Sequence, residues 1–187
     1  WYMVTHEKTR IVVLAPTDRQ AGELFQKIRM HIQNSPIGIM VKRSTQREIQ
    51  LTNESDVRCF PVGDIGATIR GLTGHVIIQE EAAWIKNSIV NNVITPMGAS
   101  TNAKFIKIST PFGMNHFYES AFDKNWKLHQ YSYEYALNAG LFHQEFIDNQ
   151  KKDLTDMEFR TEYGAEFIAD QDAYFKTETL QKAVTEY

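Results

Sequence analysis

Residues 76–85 read VIIQEEAAWI, and this stretch decides the fold. Val76, Ile77 and Ile78 make a short apolar, β-branched run of the kind found in a strand covered on both faces. The run stops in two carboxylates, Glu80 and Glu81, and two alanines then open a helical stretch. Carboxylates placed where a buried parallel strand ends stand on the carboxyl rim of the sheet, where open α/β sheets bind ligands. Two neighbouring acids there suit a phosphate-cleaving site. Glu80 can handle a divalent cation directly or through water, and Glu81 can orient or deprotonate an attacking water. The small alanines let the following helix pack closely. A plainer reading stands beside this one: two glutamates at a strand end also make a solvated helix start, favoured by the helix dipole.

Upstream, IVVLA at 11–15 is another continuous apolar run, ended by Pro16 and Thr17. Residues 18–33 then place Ala21, Leu24, Phe25, Ile28 and Ile32 at helical spacing, with Thr17 or Asp18 as the N-cap. This strand, turn and helix form half of a βαβ unit. Between them and VIIQEE, QREIQLTN and VRCFPVG read as short strands. Gly63, Gly66, Gly71 and Gly74 then punctuate a loop. Downstream, residues 86–98 continue helical until Pro96 and Gly98 close them. AKFIKIST at 103–110 is a further strand, and residues 115–124 form a helix. WKLHQYSYEY at 126–135 alternates as an edge strand does. Residues 143–154 are an amphipathic helix, and Thr155 caps a final one with Glu158 as its capping-box partner. The whole is an α/β pattern with a mostly parallel central sheet, expected as one compact domain over 1–169, with 170–187 as the start of a linker.

The composition excludes several classes. The 187 residues are 42% hydrophobic and 23% charged, with a net charge of −3, so no basic excess advertises nucleic-acid binding. One cysteine, Cys59, excludes an internal disulfide and a cysteine-built zinc site. The six histidines show no paired spacing such as HxxxH. No run of about 18 apolar residues reads as a membrane span. GxSxG and GxGxxG are both missing from the sequence.

Three further stretches carry polar groups towards the same rim. KFIKISTPFG ends a strand in Ser109 and Thr110, hydroxyls able to sense a γ-phosphate; Ser and Thr before Pro are equally ordinary turn formers. TIRGLTG places Arg70 among glycines, eleven positions before Glu81. A guanidinium there can stabilise transition-state charge, although a surface arginine in a loop is the commoner case. Arg19 and Gln20 follow the first strand and can touch nucleotide or nucleic acid. The aromatics of WKLHQYSYEY can stack bases, but a packed element is the commoner use.

Taken in order, these stretches resemble the ATPase domain of terminase large subunits from tailed phages and related archaeal viruses or proviruses. The order is strand–APT–helix, then IRG, then VIIQEEAAWI, then STPFGMNHFY, and YGAEFIADQDAYF resembles the exit towards a nuclease domain. The resemblance implies a RecA-like P-loop NTPase of the additional-strand catalytic-glutamate type, with a three-layer fold, using ATP and Mg²⁺. It implies a homo-oligomeric ring on a viral portal that moves double-stranded DNA into procapsids beside a small terminase subunit, in the host cytoplasm and away from membranes. By that resemblance Glu80 is the metal-handling Walker B acid, Glu81 the catalytic glutamate, Ser109 and Thr110 the coupling motif, and Arg70 an arginine finger for the neighbouring subunit.

Two departures qualify it. G-x-x-x-x-G-K-[ST], the Walker A cradle, does not occur in the 187 residues. The opening WYMVTH reads as the end of that motif's helix, so the expectation is a domain cut at its N-terminus, inactive alone. Glu80 stands where the family carries Asp, which lengthens the reach to a metal. The alternatives are the ATPase core of a helicase or translocase, and a degenerate α/β interaction domain without catalysis.

Overall fold

In the computed structural model, which describes residues 1–168, a short helix α1 (Tyr2–Thr5) leads into β1 (Arg10–Ala15). Val12, Val13, Leu14 and Ala15 are all buried, so β1 is covered on both faces, as its uninterrupted apolar sequence requires. Helix α2 (Asp18–Gln33) follows over the span that the helical spacing predicts. Thr17 is its N-cap, its hydroxyl accepting from the Gln20 amide. Next come β2 (Val41–Ser44), β3 (Glu48–Leu51) and β4 (Asp56–Pro61). Strands β5 (Val76–Glu80) and β6 (Lys104–Ile108) complete a six-stranded sheet of order β2-β3-β4-β1-β5-β6. The run β4-β1-β5-β6 is parallel, and β2 and β3 add antiparallel strands at one end.

Alternation along the strands splits the core into two layers. On one face Val13, Val57, Cys59, Ile49 and Leu51 pack against Phe25 of α2. On the other, Val12, Leu14 and Ile77 meet Ile85, Ile89, Val90, Val93, Ile94 and Met97. Each such fully buried branched side chain contributes roughly 1.5–3 kcal/mol. Helix, sheet and helical segment together make the expected three layers.

The second helical layer is broken. A 3₁₀ turn (Ala82–Trp84) is followed by α3 (Asn87–Ile89), a π turn (Val90–Ile94) and a 3₁₀ turn (Thr95–Gly98). Proline lacks an amide hydrogen and its ring clashes with the preceding turn, so Pro96 cannot continue an α-helix. The widened turn falls directly before it, among β-branched residues that are poor helix formers. Strand β2 went unpredicted because VKRS holds one apolar residue; it is a short edge strand whose exposed Lys42 and Arg43 discourage further pairing. At the opposite end β6 leaves Ile106 and Ile108 44% and 51% exposed, unusual for a parallel strand.

The chain divides into two compact units, Trp1–Ser109 and a second beginning at Thr110, where the sequence suggested one body. The second holds α4 (His116–Phe122), α5 (Tyr133–Asn138), α6 (Gln144–Asp153) and α7 (Asp156–Glu162). Thr155 and Glu158 form the expected capping box of α7. The expected strand at 126–135 is absent: residues 127–132 carry no regular structure and Tyr133 begins α5. The alternating aromatics serve ring packing instead. Tyr133 lies 5.1 Å from Phe159 and Tyr131 lies 5.0 Å from Tyr135. The Tyr133 amide donates to the Tyr163 carbonyl at 2.7 Å, a tie to α7 rather than a ladder. The linker expected at 170–187 lies outside the described residues.

Candidate functional site

The rim of the sheet is set by register. Gln79 pairs with Lys107 and Glu80 with Ile108, so the next residues along, Glu81 and Ser109, leave adjacent parallel strands at the same level. The Ser109 hydroxyl donates to Glu81 Oε2 at 3.1 Å. The acid and hydroxyl that the sequence singled out separately are thus in contact.

Glu81 breaks the strand. Its backbone is left-handed, with φ 49 and ψ 48, which costs a non-glycine residue roughly 1–2 kcal/mol. The next three residues hold the turn: the Trp84 amide donates to the Glu81 carbonyl at 2.9 Å, and Ala82 and Ala83 are buried. The alanines serve the close packing that the sequence suggested. Strain of this size persists where the surroundings over-determine it, and such positions cluster at functional sites.

Glu80 is different from its neighbour. Alternation puts Ile78 and Glu80 on the α2 face and Ile77 and Gln79 on the other. Burial raises the proton affinity of Glu80 above the ordinary carboxylate range, Glu81 adds to this, and Lys27 of α2 opposes it. Its carboxylate forms no hydrogen bond or ion pair among the described residues. A half-buried carboxylate that lacks a partner fits a cation. No group of three or more His, Cys, Asp or Glu side chains capable of holding a metal occurs among the described residues. Among the described residues Glu80 would therefore offer a divalent cation a single carboxylate ligand.

Arg70 follows a 3₁₀ turn (Ala67–Ile69) that is anchored at several points. Ile69 is fully buried, and the Thr68 hydroxyl donates to the Pro61 carbonyl at 2.8 Å. Gly66 has φ 65, and a Cβ there would stand 3.0 Å from Ile89 Cγ2, so both backbone conformation and space call for glycine. Lys86 Nζ meets Asp64 Oδ1 at 3.1 Å. Arg70 itself is exposed, with no ion-pair partner among the described residues. The base of the loop is fixed while its guanidinium is uncommitted. No hydrogen bond joins Arg70 to Glu81. Thr110 opens the second unit.

Two residues near the rim escaped sequence reasoning. Lys27 is one of several exposed charges on α2, and no spacing marks it as the lysine whose charge reaches Glu80. Gln79 did carry a signal, as the one amide in an apolar strand. It is 1% exposed, and its Oε1 is buried without a hydrogen-bond partner among the described residues. In the second unit, a cleft of about 480 Å³ is lined by Tyr133, Lys151, Asp156, Phe159 and Arg160 among others. Arg160 is paired there with Asp156 and Glu166, and none of the rim residues lines it.

Residues 1–182 match the family described as "Terminase large subunit, T4likevirus-type, N-terminal". The chain belongs to the terminase large subunit family. A terminase large subunit of Thermus phage G20c is 31% identical over 126 residues, covering 57% of this chain and 25% of that protein. This terminase segment thus spans about a quarter of the length of the curated relatives it matches. Its fold is that of solved terminases. The large terminase ATPase domain of Thermus phage P74-26 superposes with a TM-score of 0.70 at 22% identity, covering 89% of this chain and 80% of that one. The large terminase of bacteriophage HK97 gives 0.65 at 19% identity, over 86% and 40%. The terminase fold seen here is thus an α/β domain with a mixed sheet.

Proposed function

We propose that this terminase segment supplies the catalytic-acid part of an ATP-driven motor that packages double-stranded viral DNA into procapsids. The observation that carries the reading is the rim itself: Glu80 and Glu81 end β5 beside the hydroxyl that comes after β6, with the Ser109–Glu81 contact at 3.1 Å. Glu81 is the carboxylate that orients and deprotonates the attacking water. Glu80 holds Mg²⁺, which supplies charge neutralisation at the phosphates when bound. Ser109 and Thr110 couple the site to movement, and exposed Arg70 acts on the ATP of a neighbouring subunit in a homo-oligomeric ring on the portal.

Nucleotide use is supported by a related large terminase from a thermophilic bacteriophage, solved in complex with ADP. The Walker A pattern does not occur in these 187 residues, and in this reading the segment does not hydrolyse ATP by itself. The motor works with a small terminase subunit in the host cytoplasm. No described helix is long and apolar enough to cross a membrane. Family membership favours packaging over the helicase reading.

The test is packaging by a full-length chain carrying this segment. Procapsids, ATP and double-stranded DNA should yield DNA protected from nuclease, and Glu81→Gln should abolish protection. Undiminished protection with Glu81→Gln contradicts the proposal.

A further inference from the structure

We infer that Ser109 is a positioning residue for the Glu81 carboxylate, rather than a ligand of the nucleotide phosphates; this rests on the proposed role of Glu81. The hydroxyl has one proton to give, and in this structure it gives it to Glu81 Oε2 at 3.1 Å. A carboxylate that accepts from a hydroxyl is held in one orientation. Such a charge-assisted bond is stronger than a neutral one.

The need for it arises from the backbone. Glu81 is the first residue past β5 and sits in a left-handed conformation, so the strand's alternation no longer aims its side chain. The turn fixes the main chain through the Trp84 amide. It leaves the three rotatable side-chain bonds of a glutamate free. Ser109 supplies the second fixed point, from a strand whose register with β5 places it level with Glu81. Glu80, one residue earlier, has no such partner among the described residues. The pair is therefore divided into one carboxylate that is aimed and one that is available. A general base must lie within hydrogen-bond reach of the water it activates, so aiming is part of catalysis.

The alternative use of the same hydroxyl, sensing a γ-phosphate, makes a different kinetic prediction. Loss of a positioning bond lowers kcat and leaves nucleotide affinity alone. Loss of a phosphate ligand weakens binding of ATP relative to ADP.

The experiment uses a full-length chain carrying this segment, with steady-state ATP hydrolysis and binding of a non-hydrolysable ATP analogue as readouts. Ser109→Ala should lower kcat about tenfold or more, the loss of a hydrogen bond to a charged group. KM and analogue affinity should stay within about twofold, and Ser109→Thr, which keeps the hydroxyl, should restore most of the rate. In a Glu81→Gln background, Ser109→Ala should have no further effect, because the two act as one unit. Unchanged kcat in Ser109→Ala, a parallel loss of analogue affinity, or additive losses in the double variant would each overturn the inference alone. Full turnover in Glu81→Gln would instead overturn the role of Glu81 and this inference with it.

Discussion

Glu81 and Ser109 lie 28 positions apart in the chain and 3.1 Å apart in space, joined because β5 and β6 run parallel in register. Two independently weak sequence signals thereby become one arrangement. The backbone of Glu81 is the less expected half of it. With φ 49, that position suits glycine better than glutamate. Replacement of Glu81 by Gly should therefore keep or raise stability, by up to about 1 kcal/mol, while ATP turnover in the full-length chain is lost. Chemical denaturation of this variant and the native chain, read beside ATPase rates, checks this. A large destabilisation would show that the side chain serves the fold.

Gln79 is the second strained feature of the rim, chemically rather than sterically. Its buried Oε1 has no hydrogen-bond partner among the described residues, and leaving such a group unsatisfied costs about 1–3 kcal/mol. Gln79→Leu, similar in shape and apolar, should raise the denaturation midpoint by an amount equivalent to about 1 kcal/mol. A fall in the midpoint would mean that the amide is satisfied in solution.

Asp56 is a buried carboxylate held between charges. It is buried at the start of β4, with Arg10 Nε 3.3 Å and Arg58 Nε 2.8 Å from its carboxylate. Removing Asp56 takes the buried partner from Arg10 and leaves Arg58 only Glu48 at 3.6 Å, at about 1–3 kcal/mol because both arginines are partly solvated. Asp56→Ala should lower the thermal midpoint far more than Lys86→Ala, whose ion pair with Asp64 is exposed and worth under about 1 kcal/mol. Equal effects would contradict the burial argument.

Cys59 faces α2 from β4, and burial pushes its thiol from 9.0 up to about 12, slightly opposed by Arg47. The folded state holds the proton more tightly than the unfolded one. This contribution to stability is therefore complete below pH 9 and lost as pH rises towards 12. Denaturation midpoints measured from pH 8 to 11 should fall more steeply for the native chain than for Cys59→Val. Parallel curves would contradict this.

Much of this fold was legible because its strongest elements are periodic. IVVLA and residues 18–33 appear where the apolar runs and helical spacing put them, down to the Thr17 cap. β2 was not legible, since an edge strand of VKRS composition gains its structure from β3 and has no pattern of its own. WKLHQYSYEY misled because aromatic alternation looks the same whether it serves a sheet or ring packing on a helix. At the rim, Glu80, Glu81 and Ser109 could be named from sequence. The Ser109–Glu81 bond and the reach of Lys27 to Glu80 could not, because both depend on the register and tilt of elements far apart in the chain.

The missing phosphate cradle gives a prediction about the 187 residues by themselves. With no backbone amides arranged for the β- and γ-phosphates and no Walker A lysine, affinity for Mg-ATP should be weaker than micromolar. Isothermal titration of this segment with Mg-ATP checks it, and a micromolar dissociation constant would contradict it.

Whether Glu81 is the carboxylate that activates water is decided by single-turnover ATP cleavage in a full-length chain carrying Glu81→Gln. The cleavage rate should fall at least about a hundredfold below that of the native chain, with ATP binding retained. A cleavage rate equal to the native one would contradict it.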